Sequence, residues 1–336
     1  NIIQGDGVSL YFGKDHEFLR PKGVIDLKIL FPEDMMNVQH HVYSKIYVQC
    51  VNESLNELGY PARQAGLNYS FRDGYEGIYL SVSGYSESAM TLYEMMLEHM
   101  LNFSISQEQF NAIKDRTVRN YQNFSLSDAH QQTRDKGAKI FNHVKYDWEE
   151  TLPLAKEASL KNIQEYAKIL YDRTFVEGLV YGDFEESDAR KAHRIFNEIT
   201  NTKPITRDRA FDIEFLNQKE GKDIQMVGKL DVNNSCFYRE YVLGQDSPEM
   251  RAKSLVISQA LQQPFFTEMR TNQQLGYIVW SYATRRDETH YLSFLIQSGD
   301  FTADDLNRRA SDFISTTPEF LSSMDAETFQ QLKDSA

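Results

Sequence analysis

The first half of the chain opens with a segment in which apolar and polar residues alternate. Between residues 23 and 31, positions 25, 27 and 29 are Ile, Leu and Ile, and Asp26 and Lys28 lie between them. A period of two predicts a strand with one buried face. After Pro32, apolar residues recur every three or four positions as far as Leu55. This spacing predicts a long helix over 34–58, ending near 59–61.

Hairpin and helix signals follow in the same half. Two apolar segments, 66–71 and 77–82, flank Asp73-Gly74, a dipeptide typical of hairpin turns. Ser106 and Gln109 have the spacing of a capping box at a helix start. We therefore predict a hairpin and then mostly helices. The later elements predicted in this half are helices over 86–103, 128–143, 160–171 and 187–199 and a strand over 175–181.

A polar, turn-rich segment over 201–207 divides the chain, and we expect a domain boundary there. Beyond it the pattern restarts. The predicted elements are a strand over 237–243, a helix from Ser247 and Pro248 to Met269, a strand after Gly276, a turn at 285–287, a strand over 291–296 and a helix from about Thr302. This order repeats that of the first half at an offset of about 210 residues, too long for a solenoid repeat. The repeat predicts an α+β fold of two tandem homologous domains, 1–203 and 208–336, with the second truncated.

Composition limits the classes of partner. The 336 residues include 36 Lys or Arg and 49 Asp or Glu, a net charge of −13, whereas nucleic-acid-binding surfaces are basic. No apolar run approaches the roughly 20 residues of a membrane-spanning helix. Cys50 and Cys236 are too few for a disulfide framework. We expect neither nucleic acid nor a membrane span. The chain starts at Asn1 without an initiator Met and stops at Ala336 just after a helix-like start, so we expect a fragment.

One stretch, 269–280, joins the end of a predicted helix to the start of a predicted strand through a polar loop. It places Arg270 at the helix end and Tyr277 at the strand start, and Gly276 closes the loop. Arginine offers a planar fork of donors and tyrosine a hydroxyl, so such a loop can aim both side chains into one cavity. Two structural roles remain open. Arg270 can compensate the helix C-terminus, and Tyr277 can be an ordinary sheet residue.

The pattern Arg-Thr-x-x-Gln-Leu-Gly-Tyr-x-Val over 270–279 resembles the signature of the last domain of the insulinase/pitrilysin family of zinc peptidases. The order of elements extends the resemblance to nearly the whole chain, with a second close match at 296–298. The family has four similar domains, so the resemblance implies two of them here, each a β-sheet with helices packed on one side. It further implies that Arg270 contacts a substrate carbonyl and that Tyr277 donates to the scissile carbonyl. Phe266 would line an apolar pocket beside the cleavage point, and we expect Trp280 in the core.

The family binds zinc through His-x-x-Glu-His on a helix and a distant Glu, and the Glu between the histidines is the general base. None of the eight histidines has this spacing, and each is interpreted as a surface or core residue. They are His16, His40, His41, His99, His130, His143, His193 and His290. The helix predicted over 34–58 takes the place of the zinc helix without its motif. The resemblance therefore implies no metal in this chain and zinc in the N-terminal half of a longer protein, which would be its partner.

The function expected from the resemblance is that of the C-terminal half of a zinc endopeptidase that degrades peptides and small unfolded proteins. This half would form the substrate-binding wall of the catalytic chamber and would be inactive alone. The alternative is a non-catalytic, partner-binding module of the same architecture. The pair Arg270 and Tyr277 speaks against that alternative, because a scaffold needs no donor pair in this loop. The resemblance favours the periplasm, with the cytoplasm as the alternative compartment.

Overall fold

The computed structural model of this protein describes residues 1–5, 7–142, 144–212, 221–286 and 288–335. Three positions used in the sequence predictions, His143, Asp287 and Ala336, lie outside these residues. The described residues form an α+β fold, as predicted, in two compact units. The first unit consists of Asn1–Gln122 and Asn142–Glu214, and the second consists of Asn123–Phe141 and Phe215–Ala336.

The described strands and helices are as follows. The strands are β1 (Ile3–Gly5), β2 (Val8–Lys14), β3 (Lys22–Leu30), β4 (Asn68–Asp73), β5 (Gly77–Tyr85), β6 (Arg173–Gly182), β7 (Lys203–Pro204), β8 (Ser235–Gln245), β9 (Ile278–Arg286) and β10 (Thr289–Ser298). The helices are α1 (Val38–Ser54), α2 (Asn56–Gln64), α3 (Ser86–Leu101), α4 (Gln107–Phe124), α5 (Ala129–Phe141), α6 (Trp148–Glu157), α7 (Leu160–Leu170), α8 (Glu186–Thr200), α9 (Pro248–Phe266), α10 (Ala303–Ser322) and α11 (Ala326–Ser335).

The first unit is built on a mixed sheet with strand order β1-β2-β6-β3-β5-β4, and β7 pairs with β6. The strand predicted from alternation is β3. Its residues Ile25, Leu27 and Ile29 are buried in the main core, and Asp26 and Lys28 point to the opposite, partly exposed face. Helices α1, α3 and α8 contact the sheet and contribute to that core. The period of two therefore predicted correctly which face of β3 is buried.

The long helix predicted over 34–58 is two helices. Helix α1 begins at Val38 because the side chain of Asn37 caps it, accepting the His40 N–H at 2.9 Å. It ends at Ser54, and α2 then runs through Pro61, where the sequence predicted a stop. A proline removes only one hydrogen bond from a helix, and here the next turn continues, since the Ala65 N–H donates to the Pro61 carbonyl at 3.0 Å.

The segment expected at the domain boundary belongs to the first unit. Residues Lys203–Pro204 pair with β6 as β7, and the Phe211 N–H donates to the Phe31 carbonyl at 2.8 Å. Ala210 and Phe211 are buried. The chain therefore remains packed on the first sheet beyond the polar residues that suggested a linker.

The second unit contains a three-stranded antiparallel sheet with strand order β8-β10-β9. One face carries Leu292, Phe294 and Ile296, which pack with Leu261 of α9 and Leu306 of α10 in a single core. The N-cap Ser247 and the first-turn Pro248 begin α9 as predicted, with the Met250 N–H donating to the Ser247 hydroxyl at 3.0 Å. This face and its two helices match the expected layering.

The other face of this sheet is covered by α5, a helix from the first half of the sequence. The His130 N–H donates to Gln297 Oε1 at 2.8 Å, and the Phe141 ring lies 5.5 Å from the ring of Tyr291. Helices therefore lie on both faces of this sheet, and the expectation of helices on one side is wrong for the second unit. Both faces of β10 are buried, as in strands covered on two sides.

The two sheets share one order of elements. In the first unit, β3, α1, β4 and β5 follow in sequence and the strands lie in the order β3-β5-β4. In the second unit, β8, α9, β9 and β10 follow in sequence and the strands lie in the order β8-β10-β9. Each series therefore places its third strand in the centre, antiparallel to both neighbours.

Candidate functional site

Helix α9 ends in an unusual turn that carries the predicted arginine. Residues Thr267–Asn272 continue α9 as a π-helical segment, and the Gln273 N–H donates to the Glu268 carbonyl at 3.0 Å. Side chains close the same turn, because Asn272 Nδ2 and Gln273 Nε2 donate to the Glu268 carboxylate at 2.7 and 2.9 Å. These bonds, Gln273's first, hold the pKa of Glu268 below its usual range. Wider turns of this kind are frequent at functional sites.

The loop after this turn is fixed by three features. Leu275 is buried, and its N–H donates to the Met269 carbonyl at 2.9 Å. Gln274 has a φ of 53°, in the left-handed region that non-glycine residues rarely adopt. Gly276 lies directly against β10, where a Cβ atom would come 1.9 Å from the Gln297 carbonyl oxygen. Only glycine allows this approach, so the sequence dictates where β9 begins.

The structure brings together the three residues predicted for the site. The Arg270 guanidinium carbon lies 4.3 Å from the ring centroid of Tyr277 and 5.0 Å from that of Phe266. Such cation–π contacts each contribute about 0.5–1 kcal/mol at exposed sites. Within the described residues, neither the guanidinium nor the Tyr277 hydroxyl has a hydrogen-bond or ion-pair partner. The aromatic rings orient the arginine and leave its five N–H donors free.

The surroundings bear on the structural roles left open by the sequence for Tyr277 and Arg270. Tyr277 precedes β9 and is 79% exposed, so it is not an ordinary sheet residue. Arg270 does lie in the last turn of the π-helical segment, and compensation of the helix end is compatible with its exposed donors. Trp280 is 40% exposed, and its ring centroid lies 5.0 Å from that of His130 in an edge-to-face arrangement, so the expectation that it lies in the core is wrong. Its neighbour Val279 points into the core instead.

Sequence reasoning missed the residues that hold this turn. Glu268 and Gln273 are five positions apart, a spacing that matches neither the α-helical nor the strand period. Gln273 Oε1 also accepts from Arg309 Nη1 of α10 at 2.8 Å. The spacing of the polar residues in 267–273 carried no signal for a π-helical turn.

The described residues do not fit a zinc ion. No group of three His, Cys, Asp or Glu side chains among them could hold a metal. His40, on α1, is 7% exposed and its Nδ1 lies 2.9 Å from the hydroxyl of Tyr166. Burial lowers the pKa of His40 to about 4, so it is a neutral core residue. Among the described helices, none is long and apolar enough to span a membrane.

The first unit has a broad cleft on the open face of its sheet. Its volume is about 520 Å³. Lys28 of this cleft contacts Glu76 at 2.7 Å and Glu177 at 3.5 Å. The Arg72 guanidinium lies over the ring of Tyr79, whose hydroxyl donates to Glu76 at 3.3 Å. The tyrosine hydroxyl beside this arginine is therefore already bonded, unlike that of Tyr277.

Comparisons with known proteins agree with the resemblance seen in the sequence. Residues 1–153 match the family described as the middle or third domain of peptidase M16. Residues 256–336 match a family described as PQQ synthase PqqF-like, C-terminal lobe domain 4.

Individual proteins match along nearly the full chain. It is similar to the A-factor-processing enzyme of Saccharomyces cerevisiae, with 25% identity over 99% of this chain and 33% of the relative. It is similar to the insulin-degrading enzyme of Bos taurus, with 25% identity over 98% of this chain and 33% of the relative. The crystal structure of pitrilysin superposes with a TM-score of 0.79 and 19% identity over 99% of this chain and 35% of that one. The chain thus spans about a third of the length of the curated relatives it matches.

Proposed function

We propose that this chain forms the substrate-binding wall of a zinc endopeptidase, since it belongs to the insulinase/pitrilysin (M16) family of peptidases and corresponds to the middle and C-terminal domain region of that family. The catalytic zinc site lies in the N-terminal half of the longer protein, and that half is the partner of this chain. The substrates are peptides and small unfolded proteins. The two tandem homologous domains are 1–203 and 208–336, of the third and fourth type. The shared order of strands in the two units supports the duplication.

The single observation that carries the proposal is the state of Arg270. Arginine side chains in folded proteins commonly pair with carboxylate or carbonyl oxygens. Within the described residues this one lies over two aromatic rings and has no hydrogen-bond partner. Ordering an arginine before the ligand arrives lowers the entropic cost of binding. Arg270 is therefore suited to hold a peptide carbonyl.

Each of the other two residues has a distinct task in the proposal. Tyr277 presents its hydroxyl beside the guanidinium and donates a hydrogen bond at the scissile carbonyl, where charge grows during the reaction. Phe266 also contacts the Arg270 guanidinium and offers the rest of its ring to an apolar substrate side chain. The zinc chemistry is supplied by residues outside this chain.

The test uses the full-length protein and a quenched fluorescent peptide. We expect chelator-sensitive hydrolysis and bound zinc, and we expect Arg270→Ala to raise KM and lower kcat/KM by at least about ten-fold. The matched control is Arg308→Ala, an exposed arginine whose partner is Asp305 of its own helix. The chain 1–336 alone should bind no zinc and hydrolyse no peptide. A full-length protein that binds peptide without hydrolysis would favour the non-catalytic module.

A further inference from the structure

We propose that Arg309, on α10, is a positioning residue for Arg270 and acts through Gln273. The inference rests on the proposed function, because it concerns the geometry of the same substrate-binding site. Arg309 lies outside the 270–279 signature and does not touch Arg270 directly. It holds the turn from which Arg270 projects.

The first link is a charge-assisted hydrogen bond between α10 and the loop. Arg309 Nη1 donates to Gln273 Oε1 at 2.8 Å, and the guanidinium carbon lies 5.0 Å from the ring centroid of Phe301. The Arg309 Nε atom is buried and has no hydrogen-bond partner among the described residues. Burying a donor without a partner costs free energy. The hydrogen bond to Gln273 is therefore important for holding the Arg309 side chain in place.

The second link fixes the orientation of the Gln273 amide. Its oxygen faces the Arg309 guanidinium, and its nitrogen faces the Glu268 carboxylate at 2.9 Å. A flipped amide would set N–H groups against a guanidinium, which only donates, and an oxygen against a carboxylate, which only accepts. Gln273 therefore connects a cation to an anion in one orientation, and both of its bonds are charge-assisted.

The third link is the backbone of the turn. Glu268 and Gln273 are the two ends of the wide turn closed by the Gln273 N–H and the Glu268 carbonyl, and Arg270 lies inside it. The next residue, Gln274, has a left-handed φ of 53°, a conformation kept only where the surroundings hold it. If the link from Arg309 to Gln273 is lost, this turn can relax towards a regular helix end. Arg270 would then rotate away from the ring of Tyr277.

The end of β10 and the residues after it, 297–301, support both the loop at Gly276 and the side chain of Arg309. The Ser298 hydroxyl accepts from the N–H groups of Asp300 and Phe301 at 3.1 Å each. Phe301 supports Arg309, and the backbone of 297–298 is the surface against which Gly276 packs. The short match at 296–298 that the sequence singled out is therefore part of the frame around the loop.

The experiment is a double-mutant cycle between residues 309 and 270 in the full-length protein. Arg309→Met keeps the length of the side chain and removes its donors, and Arg309→Lys keeps the charge and one donor group. Arg308→Met is the matched control, because Arg308 is the neighbouring exposed arginine paired with Asp305. Peptide turnover gives kcat and KM for each variant, with and without Arg270→Ala, and thermal melts are recorded beside them.

We expect Arg309→Met to lower kcat/KM by about ten-fold, mostly through KM, because Arg270 contacts the ground state as well. Arg309→Lys should recover part of this loss, and Arg308→Met should behave as wild type. In the Arg270→Ala background, Arg309→Met should change kcat/KM by less than about two-fold, because residues that act through one another are not additive. A purely stabilising role would not produce this dependence on Arg270.

Two results would overturn the inference without touching the proposed function. One is wild-type kinetics for Arg309→Met in an enzyme that Arg270→Ala impairs. The other is the same ten-fold loss from Arg309→Met in both backgrounds. Wild-type kinetics for Arg270→Ala would overturn the proposed function itself. If Arg309→Met melts below the assay temperature, the double-mutant cycle is run with Gln273→Leu instead. This substitution removes both hydrogen bonds of the side-chain amide and leaves α10 intact.

Discussion

A Cβ atom on Gly276 would lie 1.9 Å from the carbonyl oxygen of Gln297. That oxygen belongs to β10, the central strand of its sheet, which is paired on both sides and cannot easily move. A side chain at position 276 would therefore push the loop outward and separate Tyr277 from Arg270. The absence of a side chain at this position is a condition for the geometry of the candidate site.

We expect Gly276→Ala to lower kcat/KM of the full-length protein by about 10²-fold, since displacements of about 1 Å can cost that much. Steady-state kinetics on a short peptide measure the change, and a lower melting temperature should accompany it. The matched control is Gly299→Ala, where the nearest atom to the added Cβ is Asn234 Oδ1 at 3.4 Å. Normal activity in Gly276→Ala would show that the loop tolerates the displacement.

Tyr277→Phe removes one hydroxyl from an exposed ring and keeps the cation–π contact to Arg270. Loss of one oxyanion-type donor costs about 10²–10³ in kcat, and we expect the lower end with little change in KM. The melting temperature should be unchanged, because the hydroxyl has no partner among the described residues. Tyr60→Phe, at another exposed tyrosine, is the control. Equal kinetics for wild type and Tyr277→Phe would remove the tyrosine from the proposed donor pair.

Much of the architecture could be predicted because the local signals and the fold agree. Alternation identified the buried face of β3, and the N-cap Ser247 with Pro248 marked the start of α9. The family resemblance drawn from residues 270–279 is confirmed by the matches to peptidase M16 domains and to full-length relatives. The resemblance could be recognised because the signature is long and because the geometry of one loop requires its glycine and polar residues.

The remaining features depend on contacts between distant segments. The helical pattern of 128–143 predicted α5 but not the face on which it packs, because that is set by contacts with Tyr291 and Gln297, 150 and 167 residues later in the chain. Residues 291–296 are apolar apart from Ser293, which predicts a strand but does not by itself show that both of its faces are buried, as they are in β10. The π-helical turn depends on Arg309 and Gln273, which no periodic pattern connects.

The buried pair Glu240 and Arg286 supports the face of the second sheet covered by α5. Glu240 is almost fully buried and accepts from Arg286, Tyr238 and the Ser293 hydroxyl. The Arg286 guanidinium carbon lies 5.2 Å from the ring centroid of Phe141 and 4.8 Å from that of Tyr291. Removing one partner of a buried pair costs about 3–5 kcal/mol because a charge is left uncompensated.

We therefore expect Arg286→Met to lower the free energy of unfolding of the second unit by about 3 kcal/mol, the lower end, since Glu240 keeps its other donors. In a Trp148→Phe background, the fluorescence of Trp280 follows this unit during urea unfolding. Arg285→Met should cost less than about 1 kcal/mol, because Arg285 is exposed and Asp246 retains Arg251 and His290. Equal losses for Arg285→Met and Arg286→Met would contradict a special role for the buried pair.

The core of the first unit should be sensitive to acid through His40. Burial lowers the pKa of His40 from 6.5 to about 4, with a small contribution from His41, and its Nδ1 is bonded to the Tyr166 hydroxyl. Above pH 6.5 the imidazole is neutral in both the folded and unfolded states. Below it the unfolded chain takes up the proton first, so the free energy of unfolding falls as the pH drops from 6.5 towards 4. The full difference is about 3 kcal/mol.

His40→Asn removes this titration and keeps an acceptor near the position of Nδ1. Between about pH 7.5 and about pH 4.5, we expect wild type to lose about 2–3 kcal/mol more than the variant. The chain carries one tryptophan in each unit, so urea unfolding in a Trp280→Phe background reports the first unit through Trp148. His16→Asn, at an exposed position, should follow the wild-type pH dependence. Parallel pH curves for wild type and His40→Asn would show that other groups, such as the partly buried His41, control the acid sensitivity of this core.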